Sequence, residues 1–500
     1  MKLTESKVKY LYNKFLTKAT SLFEKGCYSN CMTFLKAAGY TGYFFYFGYK
    51  DDKVESLLYK LSGKLKQTKE YSSTVTNRFV FYDSFSIDNG GLVQQYLTAV
   101  MYGGFEITYI TERRDFLKRK SAIRSMLDEY GEASVIVVPS EYGNIEKAQF
   151  VYDSIVQTKT DKLLIHSGPS SVFANVAFYA LPGSITRYKI NLTDHTFWIG
   201  AGCFDYSFEF RPYGCSLSAH ERGVPDDKLL YLPFYPIMNR THYNGYPKEA
   251  NGKVVLLSGG AYYKIYDKSD TYFKMIKSIL DSCPNVVLLF AGDGDKLKLQ
   301  NKIAEYGMQD KFLLIGQRSD ITEVFDHCDI YLNTYPFGGG LMSQYAAQLA
   351  KPIVNYFTPE AAKVEEFVCQ RNQIELSDST IENLTKRVKR LSESENARIS
   401  LGREIQNCVI TPDVFNETFK RCIQTGNNQI PYFDDPSAKM RSMDIKDKLK
   451  YESESKEYAR AISKIFGLSS IFIEPSLFLD AFRVLIKGNR VVKAMKNNIN

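Results

Sequence analysis

The chain has 500 residues, with 64 Lys and Arg against 56 Asp and Glu and a formal net charge of +8. That length predicts two or three domains, and so modest a charge, with aromatic residues in apolar rather than basic runs, argues against nucleic-acid binding. The nine cysteines lack metal-ligand or paired spacing, and we find neither a signal peptide nor an apolar window of about 18 residues. We therefore expect a cytoplasmic protein, either soluble or peripheral on the inner face of the cell membrane.

The first 75 residues have a helical pattern. Apolar residues such as Leu11, Phe15, Ala19 and Leu22 recur at three- and four-residue steps, which is typical of amphipathic helices. The segment also contains the tyrosine-rich stretch "YTGYFFYFGYK". We expect residues 1–75 to form a helical cap that packs against the neighbouring domain.

Two series of short apolar runs follow, each alternating with helical segments. Residues 76–240 contain "NRFVFYD", "FEITYI", "SVIVVP", "DKLLIH" and "CFDYSFEF", and residues 252–428 contain "KVVLLS", "VVLLFA", "KFLLIG", "CDIYLN" and "PIVNY". Near-continuous apolar runs separated by helices indicate parallel strands buried on both faces. We predict an α/β fold of two doubly wound, Rossmann-like domains that face a central cleft, with a hinge at 239–253.

Residues 429–500 are predicted to form a helical tail. Its final stretch, residues 476–496, places basic residues such as Arg483 and Lys487 on one side of a helix and apolar residues on the other. A basic amphipathic helix could lie on an anionic membrane surface. An ordinary helix that docks on the domains has the same two faces, so both interpretations stay open.

The loop after "CDIYLN" is a candidate phosphate site. In doubly wound domains, ligands bind outside the carboxyl ends of the strands. Here the consecutive glycines Gly338, Gly339 and Gly340 open a helix predicted over residues 341–350. Glycine lets the backbone approach a ligand closely, and a helix start offers unpaired N–H groups with positive dipole character. The pattern favours a phosphate or diphosphate.

A second glycine-containing loop ends the first strand of the second domain. Gly259 and Gly260 are followed by Lys264 in "LLSGGAYYKIYDKSD". A lysine beside such a loop could neutralise a diphosphate leaving group, whereas an isolated lysine is more often a solvated surface charge. Its position beside the glycine pair favours the functional interpretation.

Two later loops of the second domain carry polar side chains. Gln317 and Arg318 in "IGQRSD" could bind a nucleoside, and the alternative is that Ser319 and Asp320 simply cap the next helix. Asp293 and Asp295 in "AGDGDKLK" resemble metal ligands, but Asp and Gly are common turn formers and no third ligand is evident. We predict a turn and a helix cap there, and no metal.

Two segments of the first domain could serve the acceptor side of the cleft. The loop after its first strand, "SIDNGGL", contains Asp88, Asn89, Gly90 and Gly91. A later segment, "INLTDHTFWIGAGCFDYSFEFRPYG", contains Asp194, His195 and Arg211. His195 is a candidate general base with a tunable pKa, and a purely structural hydrogen-bonding role is the alternative.

Together these motifs resemble the GT-B glycosyltransferases, in particular the O-GlcNAc-transferase-like family with its bacterial cytoplasmic enzymes that glycosylate adhesins. The likeness covers about residues 77–425. The stretch "AYYKIYDKSDTYFKMIKSILDSCPNVVLLF" is similar to a family segment whose lysine contacts the diphosphate of the donor. The resemblance implies this role for Lys264, with Gly259 and Gly260 beside it.

The stretch "CDIYLNTYPFGGGLMSQYAAQLAKPIV" is similar to the strand, loop and helix that bind the donor in the same family. The resemblance implies that the diphosphate meets Gly339, Gly340, Leu341, Met342 and Ser343. Two departures are visible. Tyr345 stands where many family members hold the donor ribose with an acid, which leaves Gln344 as a nucleoside-binding candidate. The loop "SIDNGGL" lacks the family's histidine, so the base is either His195 or Asp88.

The resemblance implies a metal-independent glycosyltransferase that needs no cofactor and uses a nucleotide-sugar, most simply a UDP-sugar. We expect a glycan or lipid-linked acceptor in bacterial surface polysaccharide synthesis, with protein O- or N-glycosylation as the alternative. Two further alternatives belong to other classes, a nucleotide-sugar epimerase and a non-catalytic GT-B subunit that binds nucleotide-sugars.

Overall fold

The computed structural model describes residues 3–45, 48–85, 91–113, 121–358, 363–369, 374–428, 430 and 452–475. Asp88, Asn89 and Gly90 lie outside these residues, as does the basic stretch at 476–496. Along the described chain, helices come first, two series of alternating strands and helices follow, and a short helical segment comes last.

Three helices precede the first domain: α1 Glu5–Glu24, α2 Tyr28–Phe45 and α3 Asp52–Ser62. They pack on the first domain, as predicted for a helical cap. The carboxylate of Glu55 on α3 accepts the N–H groups of Gly200 (2.7 Å) and Gly202 (3.3 Å). Gly42 on α2 allows a close approach, because a Cβ there would lie 2.5 Å from the ring of Phe197.

The first domain is built on seven parallel strands. They are β1 Arg78–Asp83, β2 Glu106–Thr111, β3 Ala133–Val137, β4 Lys162–His166, β5 Thr186–Ile190, β6 Tyr206–Glu209 and β7 Leu229–Tyr231. Its helices are α4 Leu92–Tyr102, α5 Ala122–Tyr130, α6 Asn144–Gln157, α7 Val172–Ala180 and α8 Pro212–His220. The strand order is β3-β2-β1-β4-β5-β6-β7. The order therefore reverses between β1 and β4, which opens a crevice at their carboxyl ends.

Strands β5 and β7 correct the sequence analysis, which did not predict them. β5 has the sequence TRYKI, and its two charged residues interrupt the apolar run by which the other strands were predicted. Arg187 pairs with Asp205 (2.7 Å), and the ammonium of Lys189 donates to the hydroxyl of Ser167 (2.6 Å). Because both charges find partners within the domain, the strand is tolerated inside the sheet.

The second domain contains six parallel strands. They are β8 Val254–Gly259, β9 Val286–Ala291, β10 Phe312–Gly316, β11 Ile330–Leu332, β12 Ile353–Tyr356 and β13 Ser377–Asp378. Its helices are α9 Thr271–Ser282, α10 Lys296–Glu305, α11 Ile321–His327, α12 Gly340–Gln348, α13 Glu365–Val368, α14 Ile381–Glu393 and α15 Glu395–Cys408. The order is β10-β9-β8-β11-β12-β13. Every residue of β8 and β9 is buried, as expected for near-continuous apolar runs between two helical layers.

The chain returns to the first domain after α15. Helix α16, Pro412–Thr425, packs on α4, where the ring of Tyr96 meets those of Phe415 (5.4 Å) and Phe419 (5.8 Å). Helix α17, Glu452–Phe466, then packs on α2, and the hydroxyl of Tyr458 lies 2.9 Å from that of Thr41. A four-residue helix, α18 Ser470–Ile473, follows. Of the helices described here, none has the length and apolar character needed to cross a bilayer.

Candidate functional site

The loop that follows β11 is held by the side chain of Asn333. Its Oδ1 accepts the N–H groups of Thr334 (3.0 Å) and Gly339 (2.8 Å), and its Nδ2 donates to Oδ1 of Asn355 (3.0 Å). A Cβ at Gly338 would lie 3.0 Å from Nδ2 of Asn333. The buried asparagine therefore fixes the shape of the glycine loop, and the lack of a side chain at position 338 leaves room for it.

Helix α12 presents three backbone N–H groups at its start. Its first helical hydrogen bond joins N of Ser343 to the carbonyl of Gly339 (2.9 Å), so the N–H groups of Gly340, Leu341 and Met342 have no acceptor within the helix. The hydroxyl of Ser343 donates to the same carbonyl (2.9 Å). The helix start thus offers an anion its backbone N–H groups and dipole, while the Ser343 side chain is used internally.

Lys264 lies against the same glycine loop. Its ammonium donates to the carbonyl of Gly338 (3.4 Å), and its own carbonyl accepts the N–H of Phe337 (3.3 Å). The two loops meet because β8 and β11 are neighbours in the sheet. Burial lowers the pKa of Lys264, since desolvation disfavours the charged ammonium. A bound anion would oppose this effect and stabilise the charge.

The glycine pair after β8 permits close packing at the carboxyl edge of the sheet. A Cβ at Gly259 would lie 2.4 Å from the carbonyl oxygen of Ala291 and 2.9 Å from Cε of Met342. Gly260 has a φ of +138°, which favours glycine, and its N–H donates to the carbonyl of Ala291 (2.8 Å). The pair thereby brings the end of β8 against the first turn of α12.

The predicted nucleoside-binding side chains have different surroundings. Gln317 is exposed. The guanidinium of Arg318 forms a bidentate pair with Asp320 (2.6 Å for both bonds) and donates to the carbonyl of Gly245 (2.9 Å) in the interdomain hinge. The Asp320 carboxylate also accepts the N–H of Asn244 (2.8 Å). Arg318 and Asp320 therefore hold the hinge against the second domain.

Gln344 and Tyr345 point into the protein from α12. Nε2 of Gln344 donates to the carbonyl of Phe367 on α13. The ring of Tyr345 stacks on that of Phe325 with a centroid distance of 5.6 Å, and its hydroxyl donates to the carbonyl of Ile237 (3.2 Å). The tyrosine at the position expected for a ribose-binding acid thus packs between α11 and the end of the first domain.

On the first-domain side, Asp194, His195 and Arg211 form one cluster. Oδ1 of Asp194 lies 3.2 Å from Nδ1 of the half-exposed His195, and Arg211 donates to both carboxylate oxygens of Asp194 (2.5 and 2.8 Å). Burial alone would raise the pKa of Asp194, but the charge and hydrogen bonds of Arg211, together with His195, hold it well below its usual range. An ionised aspartate on Nδ1 orients the imidazole and stabilises its protonated form.

The same arginine links this cluster to the second domain. Nη1 of Arg211 lies 3.3 Å from Oε2 of Glu366 on α13, and the rings of Phe210 and Phe367 stack with a centroid distance of 6.3 Å. A Cβ at Gly340 would lie 2.8 Å from the ring of Phe367. Helix α13 therefore contacts both the start of α12 and the cluster around Arg211.

The sequence analysis missed a second histidine–carboxylate pair. His166 ends β4 and Asp83 ends β1, and Nδ1 of His166 lies 2.9 Å from Oδ1 of Asp83. Both side chains are buried, and within the described residues Nε2 of His166 has no hydrogen-bond partner. The only sequence signal was a histidine at the end of "DKLLIH". Its partner lies 83 residues away, so adjacency could not reveal it.

The remaining predicted residues make local hydrogen bonds within their own loops and helix starts. Gly91 directly precedes α4, and its carbonyl accepts the N–H of Gln95 (3.1 Å). Asp295 caps α10 by accepting the N–H of Lys298 (3.1 Å), and Asp293 accepts the N–H of Gly294 (2.7 Å). In the part of the chain that the structure covers, no group of three or more His, Cys, Asp and Glu is placed to hold a metal ion.

No protein-family model matches the sequence, and no curated protein matches it. Solved structures do match the fold. An O-GlcNAc transferase variant from Thermobaculum terrenum aligns with a TM-score of 0.52 and 14% identity over 83% of each chain. HepE from Anabaena, in complex with UDP and glucose, aligns with a TM-score of 0.51 and 12% identity over 70% of this chain and 99% of its own.

A third solved structure with the same fold is described as a proposed epimerase. A proposed UDP-N-acetylglucosamine 2-epimerase from Listeria monocytogenes aligns with a TM-score of 0.50 and 10% identity, over 72% of this chain and 99% of its own. At such low identities the likeness establishes the fold alone. The protein has the GT-B fold, with two Rossmann-like domains and, among the described residues, further helices before and after them.

Proposed function

We propose that this protein is a glycosyltransferase that takes its sugar from a nucleotide-sugar, most simply a UDP-sugar. The observation that carries the proposal is the meeting of Lys264 with the glycine loop at the start of α12. A partly buried ammonium and three backbone N–H groups without an acceptor in the helix form a cationic corner at the carboxyl edge of the second domain. That corner suits a diphosphate in both charge and geometry.

In the proposed reaction, an acceptor oxygen attacks the anomeric carbon of the sugar as the bond from that carbon to the diphosphate breaks. The electron pair of the broken bond goes to the diphosphate. Lys264 and the N–H groups of Gly340, Leu341 and Met342 stabilise the charge that grows there. This is the task that a metal ion performs in other transferases, and we propose a metal-independent enzyme.

The acceptor proton needs a base on the first-domain side. We propose His195, whose imidazole is half-exposed and backed by the ionised Asp194. Asp88 remains the alternative and lies outside the described residues. Arg211 orients Asp194 and would act on the acceptor side together with Asn89, Gly90 and Gly91. The exposed Gln317 and the neighbouring Arg318 remain the candidates for contact with the nucleoside, whereas the third predicted residue, Gln344, is buried and donates to the carbonyl of Phe367.

The acceptor itself is proposed to be a glycan or a lipid-linked glycan of surface polysaccharide synthesis at the inner face of the cell membrane. Residues 476–496 would contact anionic lipids there. Transfer to protein is the alternative outcome, and the two differ in product. A radiolabelled sugar would appear in a lipid extract in the first case and in precipitated protein in the second.

A nucleotide-sugar epimerase is the second candidate function. The proposed epimerase from Listeria monocytogenes, which aligns over 99% of its own chain, favours it. An epimerase converts the donor without an acceptor, whereas a transferase left with donor alone yields unchanged donor or slow hydrolysis. Analysis of the sugar after incubation with donor alone separates these outcomes. Tight nucleotide binding without turnover under any acceptor would indicate a non-catalytic subunit.

The first experiment is a thermal-shift screen against UDP-, GDP-, dTDP- and CMP-sugars. A ligand that binds the folded state alone stabilises it by RT ln(1 + [L]/Kd), which is about 2.7 kcal/mol at a hundredfold excess over Kd. We expect one nucleotide class, UDP, to raise Tm selectively. A screen in which no nucleotide-sugar raises Tm would contradict the proposal.

A further inference from the structure

A cavity of about 300 Å³ lies between α2 of the helical cap and the carboxyl edge of the first sheet. Its floor contains Ser84 and Phe85, which follow β1, and Gly168 to Ser171, which follow β4. The strand order reverses between these two strands, and the crevice at such a reversal is where doubly wound domains bind ligands. The position alone therefore suggests a ligand site, separate from the Lys264 corner of the second domain.

The helix that covers the cavity packs closely on the first domain. The cover is formed by one face of α2, with Lys36, Tyr40 and Tyr43 directed at the cavity. Ser170 packs directly against this helix, since a Cβ at Gly39 would lie 3.3 Å from Cβ of Ser170. Such close packing keeps the cavity wall in place without a ligand, which reduces the entropy lost on binding.

The polar groups of the cavity suit a hydroxyl-rich ligand. The hydroxyl oxygens of Ser84 and Ser171 lie 3.1 Å apart, and Ser84 Oγ also accepts the N–H of Gly168 (2.7 Å). Two hydroxyls that share one hydrogen bond leave one O–H as a donor. Oε1 of Glu112 accepts the hydroxyl of Tyr82 (2.5 Å), and a carboxyl group has a second oxygen that can accept a further hydrogen bond. The cavity thus offers both a hydroxyl donor and a carboxyl acceptor.

The charge balance argues against a second diphosphate. Glu112 and Lys36 both line the cavity, so the lining holds one acidic and one basic side chain. Burial raises the pKa of Glu112, and the hydrogen bond from Tyr82 and the charge of Lys36 act against this shift. Tyr40, Phe85 and Phe173 supply aromatic faces. Aromatic rings beside hydroxyl and carboxylate groups match a sugar, whose C–H faces are apolar while its rim is a ring of hydroxyl groups.

We infer that this cavity binds one residue of a saccharide, as the terminal sugar of the acceptor. The role as acceptor rests on the proposed glycosyltransferase function. The segment that carries His195 packs on the floor of the cavity, where the N–H of Ile199 donates to the carbonyl of Pro169 (3.1 Å). The bound sugar would therefore lie beside the element that supplies the proposed base.

The test measures saccharide binding directly, without any transfer reaction. The full chain is applied to a glycan array, and the glycans that it binds are titrated by saturation-transfer NMR with and without UDP. Glu112→Gln keeps the shape of the side chain and removes its charge, and Tyr40→Ala removes one aromatic face. Tyr59→Ala is the control, because Tyr59 lies on α3 of the same cap and is 65% exposed.

We expect the wild-type protein to bind glycans that share one terminal sugar. Glu112→Gln should weaken that binding at least about tenfold, as is typical when a hydrogen bond to a charged group is lost. Tyr40→Ala should also weaken it, and Tyr59→Ala should not. The inference is overturned if no glycan binds the wild-type protein, or if Glu112→Gln binds the glycan as the wild type does.

UDP binding is measured on the same samples by thermal shift. Saccharide binding without UDP binding would contradict the Lys264 corner as a UDP-sugar site. It would still support the cavity as a saccharide site. UDP binding without saccharide binding would remove the cavity assignment and leave the proposed donor site in place. The isosteric Glu112→Gln keeps the test decisive even if Tyr40→Ala does not fold.

Discussion

Replacing Lys264 by methionine tests the proposed diphosphate corner. Lys264→Met keeps a long unbranched side chain and removes the charge, so the fold should tolerate it. The matched control is Lys268→Met, because Lys268 is exposed four positions later in the same loop. Any general effect of a charge lost from this loop should appear in both variants, whereas loss of a diphosphate contact should appear only in the first.

The expected effect follows from the position of the ammonium beside the Gly338 carbonyl. Two unit charges about 4 Å apart interact by about 4 kcal/mol at an effective dielectric constant of about 20. Competition with water reduces this, and hydrogen bonds to charged groups contribute about 1.5–3 kcal/mol net. Lys264→Met should therefore weaken UDP binding about 10- to 150-fold, and it should slow transfer about 100- to 1,000-fold if the charge acts chiefly in the transition state.

Lys264→Met should weaken UDP binding, but it should not destabilise the unliganded protein. Burial lowers the pKa of Lys264, so the unfolded chain holds this proton more tightly than the folded one. Between the folded pKa and the higher unfolded pKa, the unfolded chain binds more protons at this group. The free energy of unfolding therefore rises with pH in that window. At neutral pH the charged lysine destabilises the free protein, and Lys264→Met should leave Tm unchanged or raise it.

Both quantities can be measured on the same samples. Isothermal titration with UDP gives affinity, and a thermal scan without ligand gives Tm. In the wild type, UDP affinity should also fall as the pH rises through the folded pKa of Lys264, because the ammonium then loses its proton. Equal UDP affinity in the wild type, Lys264→Met and Lys268→Met would refute the assignment. A fall in Tm for Lys264→Met would show that the lysine has a structural role.

Three further substitutions test other parts of the site. Asn333→Ala leaves the buried N–H of Gly339 without its acceptor, so urea unfolding should show a loss of about 1–3 kcal/mol and UDP titration a weaker affinity; full affinity would show that loop shape does not matter. Asp194→Asn should slow transfer about 100-fold or more with UDP affinity unchanged, and an unchanged rate would show that Asp194 does not support the proposed base. Burial raises the pKa of Glu209 from 4.5 to about 7. Its folded form therefore keeps a proton that the unfolded chain releases between these values, and stability falls as pH rises through that window. Glu209→Gln should remove up to about 3 kcal/mol of this pH dependence, measured by urea unfolding at pH 5 and pH 8, and an unchanged slope would contradict it.

The strands that carry the proposed donor site could be predicted from sequence because burial alone determines them. Every residue of β8 and β9 is buried and nearly all are apolar, since helices cover both faces of the sheet. The meeting of Lys264 with the glycine loop follows from topology, because loops that leave neighbouring strands in the same direction share one edge. No side-chain detail was needed to predict that part of the site.

What sequence could not supply were contacts between distant residues that satisfy buried polar groups. The pairs Asp83–His166 and Arg211–Glu366 join positions 83 and 155 residues apart, and each residue alone resembles many others. β5 was missed for the same reason, because Arg187 looks like a surface residue until its partner is known. Periodicity reports which face is apolar, and it says nothing about which polar group finds which partner.

Tyr345 is an example of a buried contact that the sequence did not reveal. Its surroundings also limit which residues can hold the ribose of the donor. From the family resemblance, a tyrosine in place of the acid suggested that the contact with the ribose had been lost. In the structure, Tyr345 is 5% exposed, stacks on Phe325 and donates to the carbonyl of Ile237, so this face of α12 is turned towards the core and the end of the first domain. Gln344 is equally buried and donates to the carbonyl of Phe367. Neither side chain is directed at the cleft, and an acid at position 345 would be desolvated beside an aromatic ring. A ribose bound here must therefore be held from outside α12, while the N–H groups at the start of the helix remain available to the diphosphate.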